Sequence, residues 1–217
     1  MNVTWAHGAI RLGGLAAALF ITACATGHFD YTPPESQNPE PSNSVVINKP
    51  FDQVWSDMIP QIGKSFFVLN NIDKASGILN ISYSGDPEEY VDCGVLHSSV
   101  SNLAGDRKYD IPMAKPDQTY EELDFSKNIM LRSITQKESL DGRMNVIFEK
   151  VSPTETKVTV NTRYVLTRTG DIQPVGGQVD PYSETVTFNT GGEAKFSDSV
   201  ACRPTGKWEH EILALAN

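Results

Sequence analysis

Three cysteines, four histidines and a short run of carboxylates are the side chains of this chain that could do chemistry. Cys24 closes an apolar N-terminal stretch, in Ile21-Thr22-Ala23-Cys24. A thiol placed after small residues at the end of such a stretch suits one reaction: cleavage of the peptide bond before it and acylation of its sulfur. Cys93 and Cys202 could pair, ligate a metal or supply a nucleophile. His97 lies near Cys93 and Ser98-Ser99, which invites a nucleophile reading, although a loop histidine beside a disulfide is the plainer one. His28 falls in a polar stretch and His210 on the exposed side of a predicted helix. Asp86, Glu88, Glu89 and Asp92 could bind Ca²⁺, but their spacing fits no calcium loop, and a solvated acidic edge accounts for them. The chain carries no Gly-x-Ser-x-Gly, no His-Glu-x-x-His and no phosphate-cradling glycine loop. The expectation is a protein that is not an enzyme, with no catalytic residue, no metal and no cofactor.

The stretch before Cys24 has the layout of a secretory signal: one cation, Arg11, then an apolar core over residues 12–21, then small residues. That core is about ten residues, short of the roughly 20 needed to span a bilayer. The segment resembles the leader of bacterial lipoproteins, an ordinary cleaved signal with a chance cysteine being the alternative. The resemblance implies that residues 1–23 are a removed signal peptide and that Cys24 carries acyl chains, several of which hold a protein firmly. Residue 25 is Ala rather than Asp, which in that class implies the outer membrane, with the domain facing the periplasm.

Residues 24–44 then read as a tether. Pro33, Pro34, Pro39 and Pro41 stand among Ser, Asn, Gln and Glu, with Phe29 and Tyr31 almost the only large apolar groups. Such a stretch cannot bury a core, and Pro-rich linkers extend at about 3.1 Å per residue. A passive spacer is predicted, with a partner-binding strand or polyproline segment as the sharper alternative.

Residues 1–23 contribute one of the 18 cations and none of the 27 carboxylates, so the remainder carries a net charge near −10. An acidic domain repels nucleic acid and anionic lipid head groups, so no nucleic-acid partner is expected. About 170 residues follow the tether, room for one core and one domain, 45–217. With Cys24 taken by lipid, two thiols remain in an oxidising compartment, where pairing is the common outcome. A Cys93–Cys202 bridge would close a loop of about 110 residues, worth up to roughly 4.7 kcal/mol.

Pro50 is well placed to open a helix. Phe51, Val54, Trp55, Met58, Ile59 and Ile62 then fall on one helical face, with Pro60 expected to kink or shorten the last turn. Phe66 to Leu69 reads as a strand, Asp73 to Gly77 as a turn, and Leu79, Ile81 and Tyr83 as its hairpin partner. Residues 98–127 are polar, with little periodicity, and read as a long loop. Ile129 and Leu131 begin a strand; Met144, Val146 and Phe148 alternate in the next; Val158, Val160, Tyr164 and Leu166 share a face of a third. A Gly/Pro-rich loop is expected over 169–182, then a strand near 185–189. Thr205 is a candidate N-cap for a last helix with Trp208, Ile212 and Leu215 as its stripe. This order predicts an α+β single domain: one curved antiparallel sheet with the helices packed on one face.

Pro50 to Trp55, in Pro-Phe-Asp-Gln-Val-Trp, together with the Asp73, Ser76, Gly77 turn and the closing Gly206, Glu209, Ile212 spacing, resembles the BamC type of outer-membrane assembly lipoprotein. The likeness covers residues 45–94 and 129–215 and implies the helix-grip fold, although that type carries two such domains and this chain has room for one. The expectation is a non-enzymatic interaction module, held on the outer membrane by its N-terminal lipid. It would be accessory to an envelope protein of an assembly or secretion complex, with Trp55 and Trp208 as the candidate partner or ligand surface. The alternative is a carrier or sensor of an apolar ligand in a helix-grip cavity, with 98–127 as its lid.

Overall fold

Strict period-two alternation runs through two stretches of this chain and sets its architecture. Every even-numbered residue from Ile134 to Phe148, and from Thr156 to Arg168, is buried. These faces belong to one long hairpin. The computed structural model describes residues 25–35, 42–125 and 129–216; the expected signal peptide and Cys24 lie outside them. In chain order the elements are β1 (Thr26–Thr32), β2 (Ser44–Ile47), α1 (Phe51–Lys64), β3 (Val68–Asp73), β4 (Ile78–Gly85), α2 (Pro87–Tyr90), β5 (Val91–Asp92) and β6 (Val95–Asn102). There follow β7 (Gly105–Pro112), β8 (Asp117–Asp124), the hairpin strands β9 (Met130–Ser152) and β10 (Glu155–Pro174), β11 (Asp180–Asn189), β12 (Ala194–Lys195), β13 (Ala201–Pro204) and α3 (Lys207–Ala214).

The hairpin is longer than any one neighbour, so each of its strands changes partner midway. β9 pairs with β4 over residues 140–147 and with β8 over residues 130–137. β10 pairs with β2 over residues 156–159 and with β11 over residues 163–172. Beside this seven-stranded sheet, β1, β6 and β7 form a second antiparallel sheet, and β12, β13 and β5 a third. Strand accounts for 60% of the described residues and helix for 14%. The expected α+β helix-grip arrangement is therefore incorrect: the protein is mostly β. Two of the helices are only 4 and 8 residues long, and β5, β6 and the segments around Met113 and Phe196 supply much of the cover of the hairpin's inner face.

Three further expectations change with it. Residues 26–32 are not spacer but β1, paired with β6 in continuous register from Thr26↔Ser101 to Thr32↔Val95. A strand so poor in apolar groups is held by its ladder and by Tyr31, whose hydroxyl donates to the Cys93 carbonyl (3.0 Å) and accepts from the Ala201 N–H (2.9 Å). The polar segment 98–127 is not a loop but contains the end of β6 and all of β7 and β8. The two strands expected around Leu131 and Met144 are one strand, β9, and the loop expected over 169–182 shrinks to the turn between Pro174 and Asp180.

α1 follows its sequence signal. Its buried residues are Phe51, Val54, Trp55, Met58 and Ile62, each worth about 1.5–3 kcal/mol of burial. Trp55 packs edge-on to Phe148 with ring centroids 4.9 Å apart. The helix runs on past Pro60, which sits on its exposed side. The β3–β4 turn is closed by Asp73, whose Oδ1 accepts from the N–H groups of Ala75 and Ser76. Gly77 leaves the turn at φ 70°, and a Cβ there would lie 2.5 Å from the Phe148 carbonyl oxygen, so only glycine fits. α3 starts after Gly206 at φ 78°, rather than after Thr205. Thr205 still accepts from the Lys207 N–H (3.3 Å) and donates to the Glu89 carbonyl (3.2 Å).

Candidate functional site

Trp55 and Trp208 offer no surface: they are 6% and 0% exposed. Trp208 stacks on Tyr90 and Tyr164 at 4.7 and 5.1 Å and lies over Gly142, where a Cβ would meet its ring at 2.2 Å. Indole area this large is worth more inside the core than at a rim, which corrects the expectation of a partner surface there. Cys93 and Cys202 are joined, Sγ to Sγ at 2.03 Å, and clip the end of β5 to β13. His97 stands on the solvated face of β6, bonded to Asp110 (2.6 Å) and Thr32 (3.3 Å). Neither neighbouring serine meets it: Ser98 donates to the Glu121 carbonyl and Ser99 accepts from the His28 N–H. The acidic run disperses. Asp86 caps α2, Asp92 accepts from the Gly94 N–H, and Glu89 meets Lys207. Among the described residues no three His, Cys, Asp or Glu side chains come together as a metal cage.

What the fold does assemble lies at the polar end of the hairpin. Moving along β9 from Leu140, the inward face changes to Glu138, Gln136 and Ile134; along β10 it changes from Leu166 to Arg168. Glu138 and Arg168 are directly opposite in register. The Arg168 Nε donates to Glu138 Oε1 at 2.7 Å and Nη1 to Asp198 at 3.0 Å, with the side chains of Arg168 and Glu138 3% and 0% exposed. The guanidinium lies over the Phe196 ring, 3.8 Å from its centroid, a stacking that favours Arg. Its Nη2 has no partner among the described residues.

Above this guanidinium lies a cavity of about 530 Å³. Phe29, Tyr120, Ile134, Ile172 and Tyr182 line one part of it; Arg168, Gln136, Arg132, Glu122, Glu184 and Asp198 line the other. The polar groups are held in place. Arg132 pairs with Glu122 and with Asp124 (3.1 Å). Glu184 accepts from both the N–H and the hydroxyl of Ser197. Gln136 donates to Glu138 and accepts from the Tyr182 hydroxyl. Burial pushes the Glu138 carboxyl up to about 7, against the pull of Arg168. It also raises Glu122, opposed by Arg132, and pushes the Tyr182 phenol up to about 12. Burial, then the Glu122 charge, raises Tyr120 further. Glu138 is not itself a lining residue; it orients Arg168 from behind.

The arrangement can bind. It offers an aromatic and aliphatic wall, a fixed guanidinium whose Nη2 is unpartnered among the described residues, and an amide and phenol in a fixed orientation. Sequence reasoning missed it because the residues are scattered over six segments. The available signal was phase: Glu138 shares the face of Leu140, and Arg168 the face of Leu166, so both charges fall where an apolar residue belongs. No protein family, curated protein or solved structure matches the chain, so the likeness to BamC-type lipoproteins rests on its motifs alone.

Proposed function

We propose that this chain is a lipid-anchored, non-enzymatic binding module of the bacterial outer membrane, and that it works through the cavity over Arg168. The observation that carries the reading is a cavity of about 530 Å³ lined on one side by aromatic and aliphatic groups and on the other by the fixed, buried Arg168, whose Nη2 has no partner among the described residues. Burying a cation costs free energy, and a hydrogen-bonding group of a ligand would offset part of that cost. The volume suits one small molecule. Its lining suits an amphipathic one, with an apolar body against Phe29, Ile134 and Ile172 and a hydrogen-bonding group toward Arg168 and Gln136. A purely apolar ligand fits less well, because it would leave those polar groups unanswered.

Anchoring is supported by the Ile21-to-Cys24 motif, and an oxidising compartment by the Cys93–Cys202 bridge. A binding rather than a chemical role is supported by the way each cavity carboxylate is engaged: Glu122 by Arg132, Glu184 by Ser197, Asp198 by Arg168. The test is mass spectrometry of the full chain crosslinked in cells and extracted from the envelope in mild detergent. An acylated Cys24 peptide, with crosslinks from the cavity rim to a bound amphiphile, supports the reading. Crosslinks from the rim to a stoichiometric envelope protein would instead make it an accessory subunit, and an unmodified N-terminus would remove the anchor.

A further inference from the structure

The strand register brings the β6–β7 turn, the β10–β11 turn and the adjoining ends of β8 and β9 to one end of the molecule, and β1 starts at that same end, two residues after Cys24. Asp124, at the end of β8, pairs with Met130, at the start of β9, and Ile172 pairs with Asp180 across the β10–β11 turn. The Val175 N–H donates to the Leu131 carbonyl (3.0 Å), so the β10–β11 turn lies beside the start of β9. The β6–β7 turn closes at Asn102↔Gly105, next to Thr26↔Ser101. Its position relative to β8 follows from two contacts. The Ser98 hydroxyl donates to the Glu121 carbonyl (2.6 Å), and a Cβ on Gly27 would lie 2.9 Å from Leu123 Cδ1. Since Ser98 faces Phe29 in register, β8 runs from Glu121 to Leu123 as β1 runs backward from Phe29 to Gly27. The start of β1 and the end of β8 therefore share one end.

Six large apolar residues are displayed there. Leu103 is 90% exposed, Val175 70% and Ile129 62%, and Phe125, Met130 and Val179 are exposed beside them. Large apolar groups gathered at one end of a domain would normally be covered by a partner or a membrane. The chain says which. Cys24 is two residues before Thr26, and two residues reach at most about 7 Å. With β1 docked on β6, no 20-residue spacer separates the expected lipid from the domain.

We infer that this end, through Leu103, Val175, Phe125 and Ile129, docks into the bilayer that Cys24 anchors, an inference that rests on the lipid-anchor reading above. The contact is apolar insertion rather than attraction to head-group charge. The chain is acidic, and Asp124 and Asp180 flank the tips. Binding therefore favours neutral lipids and is insensitive to salt. The same orientation turns the cavity toward the membrane, since its lining residues Arg132 and Ile172 lie two and three residues from Met130 and Val175.

The test uses the full acylated protein in vesicles of phosphatidylethanolamine and phosphatidylcholine that contain nitroxide-labelled lipid. Leu103→Cys, Phe125→Cys and Val175→Cys, each exposed and each carrying a polarity-sensitive fluorophore, report depth; Thr154→Cys, in the β9–β10 turn at the far end, is the reference. The expected result is several-fold stronger quenching and a blue shift at all three tips relative to Thr154, unchanged by added salt. Tip signals equal to that of Thr154, on protein that floats with the vesicles, would overturn the docking and leave the anchor standing. An N-terminal peptide without acyl chains would overturn the anchor, and the docking with it.

Discussion

Arg168 and Glu138 face each other across β10 and β9, Nε to Oε1 at 2.7 Å, on a face whose next members are Leu166 and Leu140. An ion pair in that position is a poor way to gain stability, because desolvating two charges offsets most of their attraction. It does fix a guanidinium, already stacked on Phe196, at the lining of the cavity, with its Nη2 unpartnered among the described residues.

Removing one partner of this pair is expected to cost more than removing both. Arg168→Met leaves Glu138 buried with Gln136 as its remaining partner and should lose about 3–5 kcal/mol. Arg168→Met with Glu138→Met should recover most of that loss in chemical denaturation while abolishing ligand retention. A double variant less stable than the single one would contradict the account.

The same carboxyl makes stability depend on pH with a definite sign. Burial raises Glu138 from 4.5 to about 7, so the folded state holds a proton that the unfolded state releases. Its contribution is complete below about pH 4.5 and is lost as pH rises through about 7. Glu138→Gln should flatten that part of the stability profile, by at most about 3 kcal/mol across the window. Urea melts at several pH values, wild type against Glu138→Gln, would show it; parallel profiles would remove Glu138 as the cause.

Reduction should act on the whole domain. Cys93 and Cys202 are 109 residues apart, and loss of a bridge closing so long a loop costs up to about 5 kcal/mol. Tyr31 reads the same corner through the Cys93 carbonyl, so β1 should loosen as well. The expected result is a lower melting temperature on adding reductant, with faster amide exchange in residues 26–32 and no effect of reductant on Cys93→Ala with Cys202→Ala.

Gly142 is a packing requirement, not a flexible point. A methyl group there would meet the Trp208 ring at 2.2 Å from backbone that β4 and β10 hold on both sides. Gly142→Ala should cost about 1–3 kcal/mol as an overpacked core, and Trp208→Ala about 3–5 kcal/mol as a cavity. Combining Gly142→Ala with Trp208→Phe should cost less than the sum, which thermal melts of the four proteins would measure.

Much of the hydrophobic half of the fold was legible. The helical face from Phe51 to Ile62, the Asp73-to-Gly77 turn and the alternation from Val158 to Leu166 are all present in the structure. These segments bury apolar side chains against a core, so their period shows in residue type. The polar half was not legible for the opposite reason. β1, β6 and β7 form a largely solvated sheet specified by its ladder and by a partner some 70 residues away in sequence, as with Phe29↔Ser98. The middle of β9 hides behind Gln136 and Glu138, which are buried on the same face as Ile134 and Leu140 although neither is apolar. The fold class was misjudged because these strands were counted as loop. The cavity was missed because its buried face is lined by the polar residues that made the segment look irregular.

The most direct measurement of the central claim is native mass spectrometry of the full protein, released from its own envelope in mild detergent. The account predicts a stoichiometric bound amphiphile on the wild type, retained without the protein being crosslinked. It predicts none on Ile172→Trp, which fills the cavity, or on the Arg168→Met, Glu138→Met double variant. A wild-type protein that carries its N-terminal lipid, keeps its disulfide and still has the same bound mass as both variants would contradict it.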